Sequence, residues 1–177
     1  MTTIIRAFIL ATGLAAGAMA AAETRTVFLV DGQGARLAIA KLETTGADYT
    51  LSMLADPFSN HFLSMRPFKC LDGPTKTWCH VPYPYENARD LSQGPTDLEY
   101  DLLFIWKSAT DYGINMWNGV YYKIDAAADG SMTGVMHEMD MDILAVPPPD
   151  GEMRPIRPVD LEKADPDSHW LPHLVIE

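Results

Sequence analysis

Between Met132 and Asp142 the chain reads Met-Thr-Gly-Val-Met-His-Glu-Met-Asp-Met-Asp, which sets two kinds of metal ligand on alternate positions. In an extended strand successive side chains point to opposite faces. His137, Met139 and Met141 then share one face with Val135 and Ile143, while Glu138, Asp140 and Asp142 share the other. Imidazole with thioethers suits a soft ion, so the first set is a candidate Cu(I) site. Three carboxylates suit a hard cation such as Ca²⁺. The plainer reading of the same alternation is a core face of Val, Met, Met and Ile backed by a solvated acidic face. His137 would then be buried and hydrogen-bonded.

The other chemistry open to this chain is general acid–base work. His80 and His137 are the candidate catalytic histidines of a hydrolase in which a distant Asp or Glu orients the ring. His80 could meet Asp72 across a hairpin. Motifs that would sharpen this are absent. His137-Glu138 opens like a zinc-protease helix, but Met141 stands where the second His is required. Asp125 to Met136 resembles a calcium loop only at Asp129-Gly130, since Ala127 and Met136 replace essential ligands. No glycine-rich phosphate loop occurs. No cofactor is therefore expected, copper being the one candidate, and the chain reads as non-enzymatic.

Aromatic residues are the densest feature. Of 17 Phe, Trp and Tyr residues, most fall between Phe58 and Tyr122. Such side chains give large contact area with a polar handle, as in a ligand pocket or a sticky face. Trp106, Trp117, Tyr83, Tyr85 and Tyr121 are the candidate ligand-binding residues. Tyr83 and Tyr85 stand among Pro82 and Pro84, which keep that segment out of a central strand. The competing reading makes the aromatics the core of a β domain.

Compartment and charge narrow the partners. Arg6, an apolar run and Ala18-Met19-Ala20 have the order of a secretory signal peptide, assigned to 1–20. The run is too short and too rich in Ala and Gly for a stable membrane span. A cleaved leader implies a periplasmic or secreted protein, where a lone Cys pair is oxidised. Cys70 and Cys79 are therefore expected to form a disulfide that stabilises the fold by about 2–3 kcal/mol. The chain carries 13 Lys and Arg against 24 Asp and Glu, a formal net charge of −11. That charge repels nucleic acid and anionic lipid. A small apolar ligand or an envelope protein partner is expected instead.

Strands and turns must position these groups. Thr26 to Val30, Arg36 to Leu42 and Asp48 to Met53 read as a three-strand meander with turns at Asp31-Gly32 and Thr45-Gly46. His61 to Phe68 reads as a fourth strand, and Trp78 to Val81 as the return strand of the disulfide hairpin. Tyr100 to Lys107 reads as a strand buried on both faces, and Val120 to Leu144 as a final hairpin around Asp129-Gly130. About eight strands predict an all-β antiparallel barrel or sandwich over 21–146. The Pro-rich tail 147–177, with a short helix near Pro158, is expected to dock on it through Trp170, Leu171, Leu174, Val175 and Ile176. A small aromatic-rich barrel resembles a lipocalin in architecture only, because Gly32-Gln33-Gly34 lacks the Trp of that family's motif.

Overall fold

The structure is a computed structural model and describes residues 21–63 and 66–177. Residues 1–20, which the sequence reading assigns to a signal peptide, lie outside the described residues, as do Ser64 and Met65. The expected meander is present as β1 (Ala22–Val30), β2 (Arg36–Thr45) and β3 (Asp48–Met53). The reading of His61 to Phe68 as one strand is corrected: β4 (Ser59–Phe62) and β5 (Pro67–Asp72) are separate and pair with each other. β6 (Lys76–His80) returns from β5, and Cys70 lies directly opposite Cys79, where the disulfide is formed.

Tyr100 to Lys107 is also corrected. Tyr100 and Asp101 end a six-residue helix, α1 (Thr96–Asp101), and only β7 (Phe104–Ser108) is a strand. The final hairpin is β8 (Gly119–Ala126) and β9 (Met132–Met139); the chain leaves it as a 3₁₀ turn at Met141–Leu144. A second 3₁₀ turn, Pro158–Asp160, leads into β10 (Glu162–Lys163) beside β9. The tail docks by joining the sheet: β11 (His173–Ile176) lies between β1 and β9.

All pairings are antiparallel, in the order β3-β2-β1-β11-β9-β8-β7-β6-β5-β4, with β10 off this path. The all-β barrel or sandwich class holds, with more strands than the eight expected. The two edge strands, β3 and β4, are consecutive in the chain and separated only by residues 54–58. Ten strands laid flat would hold those edges about 43 Å apart at about 4.8 Å per step. The connecting chain reaches only about 20 Å when fully extended. The sheet must therefore curl, and it forms a half-barrel whose seam is bridged by chain rather than by a strand ladder. Part of the β3 edge is covered: Tyr49 N–H donates to the Arg89 carbonyl at 3.0 Å, and Leu91 N–H to Ala47 at 2.8 Å. Covering an edge in this way removes a template for unwanted pairing.

Both faces of the sheet carry apolar clusters. The main core includes Leu29, Leu42, Trp78, Phe104, Tyr122 and Leu174, with Leu98 from α1 and Leu102 just after it. A second cluster, on the opposite face of β7 and β8, joins Leu103, Ile105 and Tyr121 to Tyr100, Met139 and Met141. The expected core face from Val135 to Ile143 is kept at Met139 and Met141, which are buried in the second cluster, but not at Val135 or Ile143. Met132, Gly134 and Met136 point to the main core, while Val135 is 36% exposed on the other face. Sequence could not fix the sense, because both faces of this strand carry apolar residues.

The helix α1 is a polar hub inside this apolar frame. Asp97, Glu99 and Asp101 are all buried, and each is satisfied by donors from elsewhere in the chain. Asp97 accepts from Arg154 at 2.7 Å and from Asp90 N–H at 3.1 Å. Glu99 accepts from Ile124 N–H on β8 at 2.6 Å and from the Tyr121 hydroxyl. Asp101 accepts from Arg89 at 2.9 Å and from the Tyr49 hydroxyl at 3.0 Å. Burial of a carboxylate is tolerable only with such partners. Among the described residues no helix is long and apolar enough to cross a membrane.

Candidate functional site

An open groove of about 360 Å³ lies at the end of β9, bounded by the turn before β8 and the turn before β10. Trp117, Val159 and Leu161 supply apolar surface, and Glu138, Asp140 and Glu162 supply carboxylates. Trp117 projects because the Asn115 side chain accepts its backbone N–H at 3.1 Å and closes a one-turn 3₁₀ helix, Met116–Asn118. Its side chain is 68% exposed, unusual for a Trp without a function. Asp160 also borders the groove, but Arg157 pairs with it at 2.8 Å and neutralises it.

Glu138 is held in place by two donors from outside the groove. One of its oxygens, Oε1, accepts from Trp106 Nε1 at 3.3 Å and from His169 Nε2 at 3.1 Å. A carboxylate fixed by two donors is preorganised, so little rotamer entropy is lost when a ligand meets it. Behind it, His169 Nδ1 lies 3.4 Å from Lys76 Nζ, which also donates to the Ser168 carbonyl at 2.8 Å. Lys76 sits 4.0 Å from the centroid of the Trp106 ring, a cation–π contact. These partners define the tautomer: Nε2 carries the hydrogen because a carboxylate accepts, and Nδ1 accepts from the ammonium. Burial pushes the His169 pKa down, with the Lys76 charge adding to it and Glu138 opposing. Burial likewise lowers that of Lys76.

Each sequence candidate now has a place. Trp117 lines the groove, and Trp106 stands behind Glu138 against the main core. Tyr121 is buried in the second cluster. Tyr83 and Tyr85 stack edge to face at 5.6 Å. Both hold later parts of the chain: the Tyr85 hydroxyl donates to Leu144 in the turn after β9 at 2.8 Å, and that of Tyr83 to Met153 in the tail at 3.0 Å.

The metal sets are not assembled as open sites. His137 Nδ1 lies 3.0 Å from the Val135 carbonyl, and Met139 and Met141 are packed into the second cluster. Glu138 serves Trp106 and His169, and Asp140 caps the Asp142 N–H at 2.9 Å. Among the described residues no group of three His, Cys, Asp or Glu could hold a metal ion. No family model, curated protein or solved structure matches this chain.

The expected contact between His80 and Asp72 is corrected. His61 makes it instead, at 3.0 Å, because His80 points toward α1 and its Nε2 meets the Asp101 carbonyl at 2.9 Å. A second histidine that faces a carboxylate is His169, which meets Glu138 and which the sequence reading ranked below His80 and His137. His169, Glu138 and Lys76 are 31 and 93 residues apart where they touch, so no local pattern announces them.

Proposed function

We propose that this chain is an exported, non-enzymatic binding module whose site is the groove at Trp117. The ligand is an apolar or aromatic body bearing positive charge, either a small molecule or a segment of an envelope protein partner. The observation that carries this reading is the exposure of Trp117 over a groove that also carries the carboxylates of Glu138, Asp140 and Glu162. An aromatic face and fixed anions together attract an organic cation, through ring contact and charge at once. The carboxylates narrow the earlier expectation of a purely apolar ligand. The leader-like sequence of 1–20 supports export.

Fluorescence titration with tryptamine tests the reading, with indole-3-ethanol as the uncharged analogue. Trp117→Ala is expected to weaken tryptamine binding about tenfold while leaving the urea midpoint unchanged. Equal affinity for the uncharged analogue, or a variant that loses stability in step with binding, refutes it.

A further inference from the structure

In a chain of net charge −11, cations without acidic partners are informative. A cavity of about 230 Å³ lies between β5 and the segment that follows β6, lined by Arg66, Pro67, Phe68, Lys69, His80 and Pro82. Every ionisable group in this lining is basic. Arg66 and Lys69 are exposed, and neither makes an ion pair among the described residues. Arg66 lies 5.6 Å from the centroid of the Phe68 ring, which holds its guanidinium at the cavity wall. The pairing of Cys70 with Cys79, continued by one residue, sets Lys69 beside His80 across the two strands.

His80 is the decisive member. Only 9% of it is exposed, and its ring is packed on Phe104 at 5.4 Å. The Asp101 carbonyl can only accept, so Nε2 carries a hydrogen and donates to it at 2.9 Å. That leaves Nδ1 without a hydrogen-bond partner among the described residues, on a ring that lines the cavity. That nitrogen is reachable by a ligand rather than sealed in the interior. An anion can meet it when the ring is protonated. Pro67, Phe68 and Pro82 give the remainder of the wall an apolar character that suits the body of an organic molecule.

We infer that this cavity is a second binding site, separate from the Trp117 groove, for a small organic carboxylate with an aromatic or apolar body. Arg66 and Lys69 meet the carboxylate at the mouth, and His80 meets it from the floor. Phe68 and the prolines cover the body. Protonation of His80 is opposed first by burial and also by the Lys69 charge, while the Asp101 carbonyl and carboxylate favour it. A bound carboxylate adds to the favourable side.

The test uses the described chain from residue 21 onward, with benzoate as probe and benzyl alcohol and inorganic phosphate as comparisons. Binding is followed by NMR of the histidine rings and backbone amides at mildly acidic pH. Benzoate is expected to shift the His80 ring and Lys69 amide saturably, with the other two ligands at least about tenfold weaker. Lys69→Gln and Arg66→Gln, both at exposed positions, are each expected to weaken benzoate about three- to tenfold. Trp117→Ala is expected to leave benzoate affinity unchanged, which separates this site from the groove. Absence of saturable benzoate binding overturns the inference. Benzyl alcohol binding as tightly overturns the role of charge, and phosphate binding as tightly overturns the organic body. Unchanged affinity in both Gln variants overturns the assigned residues.

Discussion

Leu174→Ala is the sharpest probe of how the fold is held together. Leu174 is fully buried in β11, and its Cβ would lie 3.1 Å from a Cβ built on Gly134 of β9. Gly134 thus makes room for this strand, and the leucine fills the space between them. Removing a fully enclosed isobutyl group costs its transfer energy and leaves a cavity, about 3 kcal/mol within the usual range of 2–5. With a urea slope of about 2 kcal/mol/M for a domain of this size, the midpoint should fall by about 1.5 M. The neighbouring residue gives the control. Val175 points to the opposite face and is only half-buried, so Val175→Ala should cost less than about 1 kcal/mol. Urea unfolding followed by far-UV circular dichroism measures both. Hydrogen exchange checks the context, since β11 amides should be protected as strongly as those of β1 and β9. A Leu174→Ala loss below about 1 kcal/mol, matched by Val175→Ala, refutes a central β11.

Two further perturbations test other parts of the frame. Replacing Cys70 and Cys79 together with Ser should lower stability by about 2–3 kcal/mol, read as a urea midpoint difference that vanishes when the native chain is reduced. Burial raises the Glu99 pKa above its ordinary value near 4.5, although the Tyr121 and Ile124 donors pull against it. A raised carboxyl contributes stability fully present below that value and lost as pH rises through its folded-state pKa. The stability of Glu99→Gln relative to the native chain should therefore improve from about pH 4 to pH 7. A constant difference, or one that shrinks, refutes this assignment.

Local patterns recovered the local structure. The β1–β3 meander and the disulfide hairpin were legible because alternation, Asp-Gly and Gly-Pro turns act over a few residues. α1 was not. Asp97 to Leu102 alternates polar and apolar like a strand, and the charges that should mark a surface helix are instead buried partners of distant donors. The sense of β9 was hidden because apolar clusters cover parts of both faces of the sheet. At the groove, Trp117 stood out by residue type alone. Glu138 drew attention for its carboxylate neighbours, whereas its fixed geometry comes from Trp106 and His169. Tyr83 and Tyr85 looked like free aromatic surface because nothing local revealed that later parts of the chain would occupy their hydroxyls.

The position of β11 also has a consequence for biogenesis. Within the sheet, β1–β3 meet the strands from β9 to β4 only across this one segment. While synthesis or translocation proceeds from the N-terminus, the two halves of the sheet can form hairpins but cannot share a ladder. Until His173–Ile176 emerges, β1 and β9 each present an open edge. The sheet can therefore close only once its last strand has been made, and a chain cut before His173 should keep β1 and β9 as two unpaired edges.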